Sequence, residues 1–197
     1  ACRVRSPDHQ VPLVELYTSE GCSSCPPADR WLSGLKGSAN VLSAAFHVDY
    51  WDRLGWPDRF ASARHTERQA AQVRASGARF AYTPQVLVNG RDWRGWPVMP
   101  LGVLPARVRV QLERLDPVSV QVRVSTEPGA PPRLGLWWAL LEDGHVTSVA
   151  SGENRGESLR HDHVVRRYET LPNWPAREGA APTVMRWSAP QNGEAGR

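Results

Sequence analysis

Two cysteines stand two residues apart in Gly21-Cys22-Ser23-Ser24-Cys25-Pro26-Pro27, directly behind Pro12–Thr18, a stretch rich in strand formers. A strand therefore delivers Cys22 to a turn. Beyond Pro27 the spacing of Trp31, Leu32 and Leu35 predicts a helix with Gly37 as its stop, so the first sulfur falls near helix N-terminal amides that favour a thiolate. That setting suits thiol–disulfide exchange, with Cys22 as nucleophile and Cys25 as resolving thiol. Glu20 and Asp29 oppose a second negative charge nearby and Arg30 favours one, so no strongly depressed thiol pKa is expected. Two other readings stand beside this one. An inert bridge is a poor use of so short a ring, because chain-entropy stabilisation falls with loop length. A metal site would take Cys22, Cys25 and His47 as ligands for copper or zinc in a non-catalytic carrier, although no second C-x-x-C completes a tetrahedron.

Val41–Val48 predicts a second strand, with Val41, Ser43, Ala45, His47 and Asp49 on one face and His47 in the interior. Asp49 is read as a solvated carboxylate or as a proton acceptor for Cys25. Tyr50, Trp51 and Trp56 follow in a loop on the same edge, where bulky rings form a substrate wall or cover the sheet end. Asp58 is placed as the cap of a helix reaching Ser76, with Gly77 at its end. Then come Tyr82-Thr83-Pro84, a strand Gln85–Val88, the turn Asn89-Gly90, a partner strand through Trp93, and a helix over Met99–Leu115 interrupted or delayed by Pro105. Trp93 and Trp96 extend that wall or belong to the core, and the core is the preferred assignment.

After Asp116-Pro117 the period changes to two, in Val118, Val120, Val122 and Val124. Leu134–Leu141, Val146–Ala150, His163–Tyr168 and Thr183–Trp187 continue the pattern of a small antiparallel, sandwich-like β domain, and Ala189–Arg197 reads as a tail. His161 and His163 have ligand spacing, but Arg160, Asp162, Arg166 and Arg167 place them on a solvated edge. Glu153-Asn154-Arg155-Gly156 is a tight turn. The expected fold class is α/β, divided into a tail (1–9), an α/β domain (10–115), the β domain (116–190) and a second tail (191–197).

Of the 197 residues 22% are charged, the net charge is +4, and no blocks of like charge occur, which argues against a nucleic-acid binder. No apolar run reaches the ~18–20 residues of a membrane span. No hydrolase triad or phosphate-cradling loop is evident. The chain opens without Met and without a charged-then-apolar leader, as expected of a processed protein from an oxidising compartment or of a trimmed chain. Cys2 is either a free terminal thiol or, following Ala1, the acceptor of a lipid anchor.

The order strand, C-x-x-C, helix, strand, helix, Thr83-Pro84, hairpin resembles the thioredoxin fold over about residues 10–115. The resemblance implies a cis Pro84 lying against the cysteine pair with Thr83 before it, so both join Cys22 and Cys25 as site residues. It also implies protein thiols or disulfides as partners and no cofactor. Ser23-Ser24 stands where reducing thioredoxins have Gly-Pro, leaving the direction of electron flow open. More narrowly, Leu16–Asp29, His47-Val48-Asp49-Tyr50-Trp51-Asp52, Tyr82-Thr83-Pro84-Gln85, Gly152-Glu153-Asn154-Arg155-Gly156 and His161–Val165 are similar to an uncharacterised, usually exported bacterial family, the domain of unknown function 1223. That implies a periplasmic or secreted protein.

Overall fold

The computed structural model describes residues 2–100, 102–175 and 183–186. Along the chain come β1 (Arg3–Arg5), β2 (Leu13–Thr18), α1 (Pro26–Ser33), β3 (Leu42–His47), α2 (Ala63–Ser76), and the hairpin β4 (Gln85–Val88) and β5 (Arg91–Asp92). Strands follow: β6 (Val108–Asp116), β7 (Ser119–Thr126), β8 (Arg133–Glu142), β9 (His145–Ser148), β10 (Ser158–His161), β11 (Val164–Pro175) and β12 (Thr183–Arg186). The fold is mixed α/β and mostly sheet. No helix among the described residues is long and apolar enough to cross a membrane.

One sheet has the order β5-β4-β2-β3-β11-β8. Within it β2 pairs parallel with β3, Leu13 opposite Leu42 through Thr18 opposite His47, and antiparallel with β4. Successive side chains of β2 point to opposite faces. Val14 and Leu16 pack with Ala28 and Leu32 of α1, with Ala45, and with Val86 and Val88. On the other face Glu15 accepts hydrogen bonds from Arg68 of α2, and the Tyr17 ring stacks on Phe46. The two helices therefore cover opposite faces. Trp93 and Trp96 pack against the first cluster, as a core assignment requires.

The chain folds as two compact units, interleaved in sequence rather than divided once near residue 116. Of the described residues, the larger comprises 11–100 and 139–168, and the smaller 2–10, 102–138, 169–175 and 183–186. The smaller contains the antiparallel sheet β1-β6-β7-β12. Its register, with Val4 opposite Leu112 and Leu112 opposite Val122, explains why no helix forms over 99–115. Val108, Val110 and Leu112 alternate as in a strand, and β6 pairs with β1 on one side and β7 on the other. Pro100 and Pro105 remove donors from any competing helix.

Other boundaries move for local reasons. Ser62 caps α2, its Oγ accepting from Arg64 N, because Asp58 is buried elsewhere. The helix α1 ends at Ser33, capped by Gly34. The hairpin turn is as expected, Asn89 and Gly90 both having positive φ, which two-residue turns of this kind demand. The tail over 189–197 lies outside the described residues.

Candidate functional site

Cys22 and Cys25 are joined in a disulfide, with their Cα atoms 5.4 Å apart. Between the end of β2 and the start of α1 the backbone folds tightly: Cys22 N donates to Ser19 O, Cys25 N to Cys22 O, and Ala28 and Asp29 N to Cys25 O. Cys25 is thus the residue from which α1 starts, with two prolines next that need no donated hydrogen bond. Both cysteines have no exposed surface, whereas Ser23 and Ser24 are exposed.

The cysteine edge is completed by residues distant in sequence. The Thr83–Pro84 peptide is cis, and Thr83 Oγ1 donates to Cys22 Sγ at 3.2 Å. Trp51 Nε1 donates to the same Oγ1 at 2.8 Å, tying the aromatic loop to the Thr83 turn. Ser24 Oγ is 3.4 Å from Cys22 Sγ. Tyr50 OH donates to Gln69 Oε1, and Trp56 Nε1 to Glu20 Oε2 at 2.8 Å. All three aromatics are half-buried. Trp51 is bonded to a group that touches a sulfur.

The segment 152–156 clasps the cysteine turn. Asn154, buried, donates through Nδ2 to the carbonyls of both Glu20 and Cys22, at 2.8 and 3.0 Å, and Glu153 Oε2 accepts from Ser23 N at 3.2 Å. Gly152, at φ +75°, lies so close to Trp56 that an added Cβ would come within 3.1 Å of the indole's own Cβ. Its sequence signal was only a turn, which carries no information about what the turn touches.

Beside this turn lies a buried set of ionisable groups: Glu20, Asp29, His47, Asp58 and His161. His47 Nδ1 is 2.6 Å from Asp58 Oδ2, which also accepts from Glu20 N at 2.8 Å. His161 Nε2 is 3.2 Å from Glu20 Oε1, close enough to act electrostatically but not aligned as a hydrogen bond. The His47 and His161 rings meet edge to face at 4.9 Å. Asp29, one helical turn beyond Cys25, accepts from Thr18 Oγ1 at 3.1 Å. Burial raises the pKa of Asp29 against the opposing pull of His161 and His47. Burial also works against the charged forms of Asp58 and His47, but their mutual attraction wins, lowering the first and raising the second. Glu20 is likewise lowered despite burial, chiefly by the neighbouring His161.

His161 is therefore in the interior and not on a solvated edge, because β10 alternates: Leu159 and His161 point in, Ser158 and Arg160 out. His163 is only part-buried, with positive φ. Asp49 accepts from Thr66 Oγ1. Among the described residues no group of three or more His, Cys, Asp or Glu is arranged to hold a metal ion, and Cys2 is an exposed free thiol.

A mixed α/β protein with a disulfide-forming C-x-x-C at a strand-to-helix turn is what these observations define. The family described as "Protein of unknown function (DUF1223)" matches residues 13–196, and the chain belongs to it. The X-ray crystal structure of a protein from Agrobacterium tumefaciens is similar to it at 25% identity, with a TM-score of 0.67, over 91% of this chain and 78% of that one. None of the curated proteins searched is similar to it.

Proposed function

We propose that this chain is a thioredoxin-like thiol–disulfide oxidoreductase of the periplasm or the extracellular space, exchanging electrons with other proteins through Cys22 and Cys25. The observation that carries the reading is the Thr83 hydroxyl on Cys22 Sγ at the point where β2 turns into α1. The fold lends support: β2 and β3 run parallel, β4 lies antiparallel beside β2, and the helices lie on opposite faces, in the order expected of the thioredoxin fold. The last helix of that fold has no counterpart among the described residues, and residues 108–116 are strand β6. A compartment outside the cytoplasm fits a bridge that must persist between turnovers.

In the oxidising direction, a partner thiolate attacks Cys22 Sγ. The intramolecular S–S bond breaks and Cys25 leaves with the electron pair. A second partner thiolate then attacks the partner's sulfur in the mixed disulfide and releases Cys22. Two electrons and two protons pass from the partner's thiols to the pair. Asp29, buried one turn from Cys25 with its pKa raised by burial, is the proposed source of the proton that the leaving sulfur needs.

Equilibration with reduced and oxidised glutathione, followed by thiol trapping, tests this. The expected result is a reversible transition in the folded protein, with Cys22→Ser inert and Cys25→Ser accumulating a mixed disulfide. A potential well above about −200 mV marks an oxidant or isomerase, and one near about −270 mV a reductase. A bridge that resists reduction until the protein is denatured overturns the proposal.

A further inference from the structure

A groove of about 810 Å³ opens between the C-terminal end of α2 and the β4–β5 hairpin, lined by Arg79, Phe80, Asn89, Arg91, Asp92 and Arg94 among others. Its charge is one-sided. The single carboxylate named there is already engaged: Asp92 accepts from Tyr82 OH at 2.8 Å, from Gln85 Nε2 at 3.0 Å and from Arg94 Nε at 3.1 Å. Arg79 and Arg91 are exposed and make no ion pair with the described residues. Phe80 is 59% exposed, a large apolar ring left in water at the rim.

The groove is joined to the cysteine edge by a short piece of chain. Phe80 meets Tyr82 edge to face at 6.0 Å, Arg94 lies over the Tyr82 ring at 5.1 Å, and Tyr82 is followed directly by Thr83, whose hydroxyl touches Cys22 Sγ. From Phe80 to Thr83 is three residues, at most about 11 Å of chain. A polypeptide whose cysteine meets Cys22 would therefore lay the residues some three to five positions away over Phe80 and between the arginines.

We propose that this groove receives an acidic segment of the protein partner, lying a few residues from the cysteine that reacts with Cys22. This rests on the exchange reading above and names its substrate class. Apolar contact with Phe80 positions the segment, and the guanidinium groups at 79, 91 and 94 select carboxylates, Arg being suited to bidentate pairing with them. Charge complementarity of this kind raises association rates and is weakened by salt.

Two measurements on the full chain test it. The first is the second-order rate at which the oxidised protein takes electrons from a cysteine peptide carrying glutamates about four residues from the cysteine, against the same peptide with glutamines. The acidic peptide is expected to react about tenfold faster at low salt, with the advantage shrinking as salt is added. The double variant Arg79→Glu/Arg91→Glu abolishes that advantage and leaves the rate with dithiothreitol unchanged, while Arg133→Glu, outside the groove, does neither. The second is calorimetric binding of the acidic peptide with serine for cysteine, which needs no redox step. Failure of every thiol to react, with serine-peptide binding retained and lost in the double variant, sinks the exchange reading and keeps the groove. Equal rates and equal binding for the two peptides, or an advantage that survives the double variant, overturns the groove.

Discussion

Asn154 donates to the carbonyl of Cys22 at 3.0 Å across 132 residues of sequence. The same amide serves the carbonyl of Glu20, so one side chain supplies a donor to Glu20 O and a second donor to Cys22 O, which also accepts from Cys25 N within the turn. Asn154→Ala removes both bonds and is expected to cost about 1–3 kcal/mol, since Glu20 O is left without that donor while Cys22 O keeps Cys25 N. Asn154→Asp replaces the donor with a carboxylate facing two carbonyls and is expected to cost more. Denaturant unfolding of the oxidised forms measures both; equal stability of wild type and Asn154→Ala contradicts the clasp.

The Thr83 hydroxyl is predicted to stabilise the Cys22 thiolate once the bridge is reduced. Hydrogen bonds to charged groups contribute about 1.5–3 kcal/mol, so Thr83→Val should raise the Cys22 pKa by about one to two units. Ultraviolet thiolate absorbance against pH reads this in the reduced protein. Trp51→Phe, which removes the donor to Thr83 Oγ1 along with the pyrrole ring, is expected to move the same value by a smaller amount.

Stability should depend on pH from both sides of neutrality. Burial pushes His65 down to about 4, its neutral ring bonded to His47 O at 2.9 Å. Below the ordinary value of 6.5 the unfolded chain takes up that proton before the folded one does, so stability falls as the pH drops from 6.5 toward 4, by ~3 kcal/mol from this group. His47 behaves oppositely. Its raised pKa contributes fully below 6.5, and that contribution is lost as the pH climbs through the folded value. Asp29, raised, also favours the folded state toward low pH and partly offsets His65. Urea midpoints of wild type and His65→Gln between pH 4 and 7 isolate the His65 contribution, and the variant should show the weaker acid destabilisation. Parallel curves would contradict it.

Gly152→Ala is expected to destabilise by about 1–2 kcal/mol, because a Cβ is disfavoured at positive φ. The new methyl also crowds Trp56, whose indole holds Glu20. Thermal unfolding together with Trp fluorescence checks both effects. An unchanged melting temperature would mean that the loop relaxes freely.

The first half of the larger unit was legible because its signals are local. A strand running into C-x-x-C, prolines at a helix start and Asn-Gly between apolar runs each fix the backbone through nearby sterics. The misreadings share a different cause. Val108–Asp116 has a pattern compatible with either period, and pairing with β1 and β7, remote partners, decides it. Asp58 resembles a helix cap, yet its carboxylate is bonded to His47 across a loop. Charged neighbours made His161 look solvated, although alternation along β10 alone would have put it inside with Leu159. Asn154 was recognisable as a turn residue, but nothing in the chain near it points to Cys22.

The clasp by residues 152–156 also sets an order of events in biosynthesis. The cysteines emerge from the ribosome well before the asparagine that secures their turn, so a nascent chain carries the cysteine pair before it carries the clasp. For the same reason a fragment ending near residue 116 would carry the cysteine pair without the segment that holds its turn. Truncation is therefore the wrong route to a minimal form of this protein.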